Sequence, residues 1–210
     1  GDSPYATRIV AAPGSNLESM VRVDGFAWAA SYGATIENIS FSGDATTARG
    51  IHIVKGIGHQ LLNVIISNVA GTGLVLGADP DADTVQQFFS RQLIVEGRAG
   101  SAGILVDQGA TENSEFLQTY IRCITATNCL ARSIEIVSGH CEFRGLITTG
   151  SPADAHAIRS DQALGISDWV SEDPMPIFFA PAGHDRGSVI SRADIRSCNA
   201  LEGEHCIHWQ

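Results

Sequence analysis

Four charged residues recur at matching places along this chain, and together they suit acid–base chemistry on a glycosidic bond. Asp107, Glu135, Arg159 and Asp161 fall on segments whose alternation of apolar and polar residues points these four side chains outward. Glycoside hydrolysis needs two carboxylates, one protonated and one ionised; a separation of about 5 Å retains configuration and about 6.5–9.5 Å inverts it. Asp107 and Asp161 share one offset two repeats apart, roughly 9–10 Å at the spacing of stacked strands. Glu135 lies between them, about two residues back along its own segment. The candidate catalytic residues are therefore Asp107, Glu135 and Asp161. Arg159 is suited to bind a sugar carboxylate or to stabilise developing charge. The competing reading is a column of ordinary solvated residues pairing along a sheet.

Further contacts are expected from longer segments at 77–89, 108–116 and 161–175, which leave the repeats beside the same face. Insertions on one side of a repeat array mark its working side. They supply Glu112, Glu115, Phe88, Phe89 and Trp169. Of these, Glu115, Phe88 and Trp169 are candidates to touch substrate, together with His52 on the same outward column as Glu135 and Arg159. Asp79, Asp81 and Asp83 alternate as hard oxygen ligands do and are the candidate calcium ligands. They do not form an EF-hand, because Thr84 replaces the tight-turn glycine and Ser90 the bidentate glutamate. The Asp79–Pro80 pair reads equally as a turn. No other cofactor is expected. The histidines lack zinc-protease spacing, and neither a nucleophile elbow nor a P-loop is present. Cys123, Cys129, Cys141, Cys198 and Cys206 are odd in number and lack paired zinc spacing, so they read as small core residues.

A repeat of about 25 residues positions these groups. One unit carries Ile36, Asn38, Ile39 and Phe41, then Gly50, Ile51 and Ile53. The next carries Leu61, Asn63, Val64 and Ile66, then Gly73, Leu74 and Leu76. A third has Gln92, Leu93 and Val95, then Gly103, Ile104 and Val106. Two apolar columns follow. The first runs Ile9, Ile39, Val64, Leu93, Ile121, Leu146 and Ile195; the second runs Val21, Ile51, Leu74, Ile104, Ile134, Ile158 and Ile207. Both take steps of 23–30 residues and then one of 49 at the same place, which predicts a skipped coil through 166–170 and 176–179. Asn38, Asn63 and Gln92 share one offset, where side-chain amides can bond along the stack. The expected fold is all-β: a right-handed parallel β-helix of about eight coils, each of roughly 25 residues, making a rod roughly 40 Å long. It is expected to form a single domain over 1–210, cut from a longer chain. The start at Gly1, the absence of a capping helix and the open coil at each end carry that last expectation.

The run from Ile9 through Ile36, Asn38, Ile39 and Phe41, then Gly50, Ile51 and Ile53, to Asn63 and Val64 resembles the pectate-lyase-like β-helix superfamily. That superfamily includes pectate lyases, polygalacturonases and bacteriophage tailspikes. The likeness covers nearly the whole chain, but its motifs specify coil geometry rather than chemistry. It implies a polysaccharide or surface glycan as partner, a homotrimer as in tailspikes, and an extracellular or virion-associated setting.

Bulk properties narrow the alternatives. A net charge of −10 argues against nucleic acid. No run approaches the ~20 apolar residues of a membrane span, so membrane insertion is not expected. Three readings stand at this level: a carboxylate-dependent depolymerase, acting as hydrolase or lyase; a non-catalytic fibre or adhesin segment; and a calcium-dependent pectate lyase.

Overall fold

The structure is a computed structural model that describes residues 3–24, 33–78, 85–107, 113–123, 130–151, 156–173, 176–179, 188–196 and 207–209. These residues contain strands and no helix. In chain order the strands begin with β1 (Arg8–Val10), β2 (Ser19–Asp24), β3 (Thr35–Ser42), β4 (Arg49–Ile57), β5 (Gln60–Val69) and β6 (Thr72–Gly77). They continue with β7 (Val85–Gln86), β8 (Phe89–Gly97), β9 (Ala102–Asp107), β10 (Asn113–Cys123), β11 (Arg132–Ser138) and β12 (His140–Thr148). The last are β13 (Ile158–Ser160), β14 (Leu164–Ser171), β15 (Ile177–Phe179), β16 (Val189–Ile195) and β17 (Ile207–Trp209).

Every pairing is parallel, and the chain alternates between two ladders. The first ladder runs β1-β3-β5-β8-β10-β12-β14-β16 and the second β2-β4-β6-β9-β11-β13-β15-β17, with β7 added beside β4. The result is an all-β parallel solenoid. Eight strands stack in each ladder, yet the inward residues of both ladders are completely buried only from β5 and β6 to β14 and β15. The closed core is thus about five turns deep, shallower than the eight coils expected. Edge strands have a neighbour on one side only, and β1 leaves Ile9 and Val10 47% and 59% exposed.

The second apolar column is reproduced at every level. Val21, Ile51, Leu74, Ile104, Ile134, Ile158, Ile177 and Ile207 are successive register partners. Ile177 occupies the predicted skipped level, and β14 and β15 are its two strands. Gly50, Gly73 and Gly103 precede this column because the corner leaves no room for a side chain. A Cβ on Gly103 would lie 2.4 Å from the Ser133 carbonyl oxygen and 2.6 Å from Ile121 Cγ2.

The first column needs correction. Ile9 pairs with Phe41 rather than Ile39, and Ile121 with Val95 rather than Leu93. Ile195 pairs with Ser171, on the line of Thr148 and Ile121. The position expected to be apolar opposite Leu93 is the buried Thr119. A slip of two residues keeps a side chain on the same face, so the inward assignments of Ile9, Ile121 and Ile195 survive. The same slip moves Arg122 from the line of Ile94 to that of Glu96, with which it forms an ion pair.

From β3 to β16, a column of residues at matching places in the first-ladder strands takes the left-handed conformation and folds each strand over an edge. The column is Asn38, Asn63, Gln92, Gln118, Gly145, Asp168 and Arg192, with φ between 53° and 70°. Asn and Gly tolerate this region best. The expected amide stacking is present where Asn63 Nδ2 donates to Asn38 Oδ1 at 2.8 Å. At the far end the same column holds an Asp168–Arg192 ion pair.

Phe88, Phe116 and Phe143 stack inside the coils, with centroid separations of 5.3 and 4.4 Å. Cys141 is buried and free, and burial pushes its thiol up, as expected for an inert core cysteine. Further along, the interior turns polar. Trp169 Nε1 donates to Thr148 Oγ1 at 3.2 Å, and buried Asp173 accepts from the Ser151 N–H at 2.9 Å and the Ser171 hydroxyl at 3.3 Å. On the surface, Asp44 accepts from the Gly14 N–H, 2.6 Å away, and from Thr47 Oγ1 at 2.8 Å, joining two coils. These bonds, Thr47 foremost, hold its carboxyl well below the usual range.

Two outcomes follow. Asn63→Gly loses the amide bond and is expected to cost about 1 kcal/mol, whereas Asn63→Ala loses the same bond while keeping a Cβ in the left-handed region without the polar side chain that lets Asn tolerate it, and costs about 2 kcal/mol; urea unfolding of the three proteins gives that order. Burial raises the Asp173 carboxyl above its ordinary value of 3.8. The folded state then binds more protons than the unfolded one, so this group makes stability fall as pH rises from that ordinary value through the raised one. Asp173→Asn, which keeps an acceptor for Ser151, should flatten that fall and match or exceed the parent at pH 7, as measured by denaturation across pH 3–8.

Candidate functional site

Strands β9, β11 and β13 place the acidic group on the outer face of the second ladder. Ile134 and Ile136 enter the core and are fully buried, which turns Glu135 between them outward. Leu105, Glu135 and Arg159 are direct register partners on three successive levels. Arg132 Nη1 lies 2.9 Å from Glu135 Oε1, and Arg159 Nη1 lies 3.7 Å from the same oxygen. Arg159 Nε also reaches Asp161 Oδ1 at 3.4 Å. The backbone N–H of Asp161 donates to the Ile136 carbonyl at 2.9 Å, which ties Asp161 to the level of β11.

Asp107 joins this group through a residue the alternation did not identify. The register breaks between Ile136 and Ser138, so Ser138 rather than Val137 stands opposite Asp107. Its hydroxyl donates to Asp107 Oδ1 at 2.7 Å. A bulge of this kind re-aims a side chain without disturbing the strands around it. The face therefore carries three carboxylates, two guanidinium groups and one hydroxyl. Glu135 sits between two cations, and Asp107 and Asp161 lie on levels separated by β11. Such a surface can accept hydrogen bonds from sugar hydroxyls and donate to ring or carboxylate oxygens.

The other expected contacts do not gather here. His52 shares the outward column, yet it is fully buried, with Nε2 2.7 Å from the Gly77 carbonyl and Nδ1 3.2 Å from Arg49 Nη1. A covered imidazole cannot reach a glycan, and its bonds are internal. Phe88 and Trp169 point into the core, 1% and 0% exposed, so neither offers a stacking surface. Glu115 is exposed, but on the first ladder, opposite Glu142. The segments 108–116 and 161–175 are only partly insertions, since β10 begins at Asn113 and β14 spans Leu164–Ser171. Asp79, Asp81, Asp83 and Glu112 lie outside the described residues. Among the described residues no group of three or more His, Cys, Asp or Glu side chains is arranged to hold a metal.

Arg132 and Ser138 are the members that the sequence did not single out. Arg132 stands three residues before Glu135 at the start of β11, a spacing that period-two reasoning leaves without a partner. Ser138 is found only once the bulge is known.

These side chains are partly exposed, 24–44%, and ion pairs near the surface contribute about 0–1 kcal/mol. Arg159→Met is therefore expected to change unfolding free energy by less than about 1 kcal/mol, so a larger effect on ligand binding or turnover reports on the site and not on folding. Comparison of its thermal unfolding with the parent checks this.

Scans against protein-family models, curated proteins and solved structures found no match to the chain.

Proposed function

We propose that the chain binds a polysaccharide along the outer face of its second ladder and cleaves it with carboxylates, as a tailspike-type depolymerase of the pectate-lyase-like kind would. The supporting observation is the placement of Asp107, Glu135, Arg159 and Asp161 on adjacent levels of one face. The two strand spacings from Asp107 to Asp161 put their backbones roughly 9–10 Å apart, close to the wider separation used for inversion. In this reading Asp107 and Asp161 act as acid and base, while Arg159 and Glu135 hold the sugar. No metal enters the reading.

A homotrimer outside the cell or on a virion belongs to the same proposal. Ile94, Tyr120, Ile147 and Val170 form one outward, partly exposed apolar line along the first ladder. A line of this kind suits contact with a second copy.

A second reading, a non-catalytic fibre or adhesin segment, is favoured by one observation: each of the three carboxylates already has a protein partner in Ser138, Arg132 or Arg159. Product release from a panel of bacterial surface polysaccharides separates the two. Asp107→Asn and Asp161→Asn are each expected to lower cleavage by about 10²-fold or more, and Glu135→Gln to weaken binding with a smaller effect on rate. Retention of full cleavage by all three variants would remove the site assignment. Binding of a polysaccharide by the parent with no product from any of them would favour the adhesin.

A further inference from the structure

The first ladder has an outer face of its own, and its composition changes abruptly along the stack. Before the left-handed bend, one outward column runs Glu115, Glu142, Gly165 and Val189, and the column beside it runs Arg144, Ser167 and Ser191. Two long charged side chains thus give way on the next level to a glycine and a serine. The step leaves an open groove of about 180 Å³, with Val189, 60% exposed, as its far wall. Drug-sized ligands occupy roughly 300–1,000 Å³, so this groove is sized for a single ring.

The groups around it are suited to a neutral, hydroxyl-rich ligand. Glu142 Oε2 accepts from Arg144 Nη2 at 2.8 Å. Its other oxygen is 4.0 Å from His140 Nε2, beyond hydrogen-bond distance, and keeps lone pairs for two ligand hydroxyls. Arg144 is 58% exposed, with N–H groups left to donate. The Ser167 and Ser191 hydroxyls can both donate and accept. Gly165 gives a flat floor, since a Cβ there would lie 3.3 Å from Glu142 Cγ, and Val189 offers an apolar surface to ring C–H groups. Glu142 offsets Arg144, and Glu115 on the next level acts on the same guanidinium. That balance disfavours phosphate, sulfate or a uronate.

We infer that this groove is a second saccharide subsite, binding one neutral sugar ring on a face distinct from the one that carries Asp107 and Asp161. The inference rests on the glycan reading above. All of its groups project from strands, which hold them more rigidly than loops do. Two subsites on one rod raise avidity for a long or branched chain without any new contact.

The test uses the whole chain on a printed panel of oligosaccharides, some built only of neutral hexoses and some bearing uronates. Gly165→Val fills the groove while leaving both charges, and Arg144→Ala removes the donor at an exposed position that should not disturb folding. Thermal unfolding of each variant accompanies the binding data. Neutral oligosaccharides are expected to bind at least tenfold more weakly to both variants, with Arg144→Lys recovering part of the loss. Folded variants that bind like the parent overturn the subsite and leave the glycan reading standing. Selective binding of uronates, lost in Arg144→Ala, overturns the neutral class. Failure of the parent to bind any member of the panel removes the glycan reading and this subsite with it.

Discussion

Parallel hydrogen bonding between successive levels holds each residue one strand spacing, about 4.8 Å, from its counterparts above and below. Everything else in the molecule answers to that constraint. An inward position must be apolar at every closed level or carry its own polar partner, and an outward charge must tolerate its column neighbours. The second ladder meets the first condition with Val, Ile and Leu from β2 to β17. The first ladder meets it in part with Thr148 and Ser171, whose hydroxyls bond within the polar interior that ends at Asp173, while the buried Thr119 hydroxyl has no hydrogen-bond partner. Outward, Glu135 stands directly beside Arg159 in its column, and Arg122 beside Glu96. Among the described residues only Glu115 and Glu142 place like charges in register, and Arg144 answers that pair.

The two outer faces differ in how their charges are arranged. On the second ladder the carboxylates and guanidinium groups alternate, so the surface is rough and already cross-linked. On the first ladder, ahead of the bend, Glu142 and Arg144 give way on the next level to Gly165 and Ser167, and bulk returns at Val189. A cross-linked face positions groups well but asks a ligand to displace existing bonds. A stepped face offers room and free donors. The chemistry proposed for each follows from that contrast: positioning and cleavage at one, holding at the other.

How much of this was legible in the sequence depends on parity. The second column was readable at all levels because its strands alternate without interruption and glycine marks the corner at Gly50, Gly73 and Gly103. The first column was readable only to within two residues, since Ile121 and Thr119 are equivalent by parity and the apolar one was the natural choice. Trp169 was misplaced because residues 161–175 read as an insertion, whereas β14 runs through them. Ile166 points in and Ser167 out, but the bend at Asp168 consumes a residue, so Trp169 again points in. Strict alternation cannot register a left-handed residue. His52 shows a different limit: parity correctly turned it away from the core, but says nothing about whether the outside is covered. Asp107, Glu135, Arg159 and Asp161 lie on one face, as alternation placed them, because the bulge in β11 falls after Glu135. The groove at Gly165 was not legible, because it arises from missing bulk and not from a motif.

The bend column carries one more implication. Its early members are joined amide to amide, Asn38 to Asn63, and its late members by opposite charges, Asp168 to Arg192. Neutral amide bonds are indifferent to ionic strength, while exposed ion pairs are screened by salt. The same corner is therefore built from two materials with different sensitivities. Concentrated salt loosens the corner at β14 and β16 and leaves β3 and β5 gripped, so the rod has a preferred end from which to fray and a direction along which it unzips.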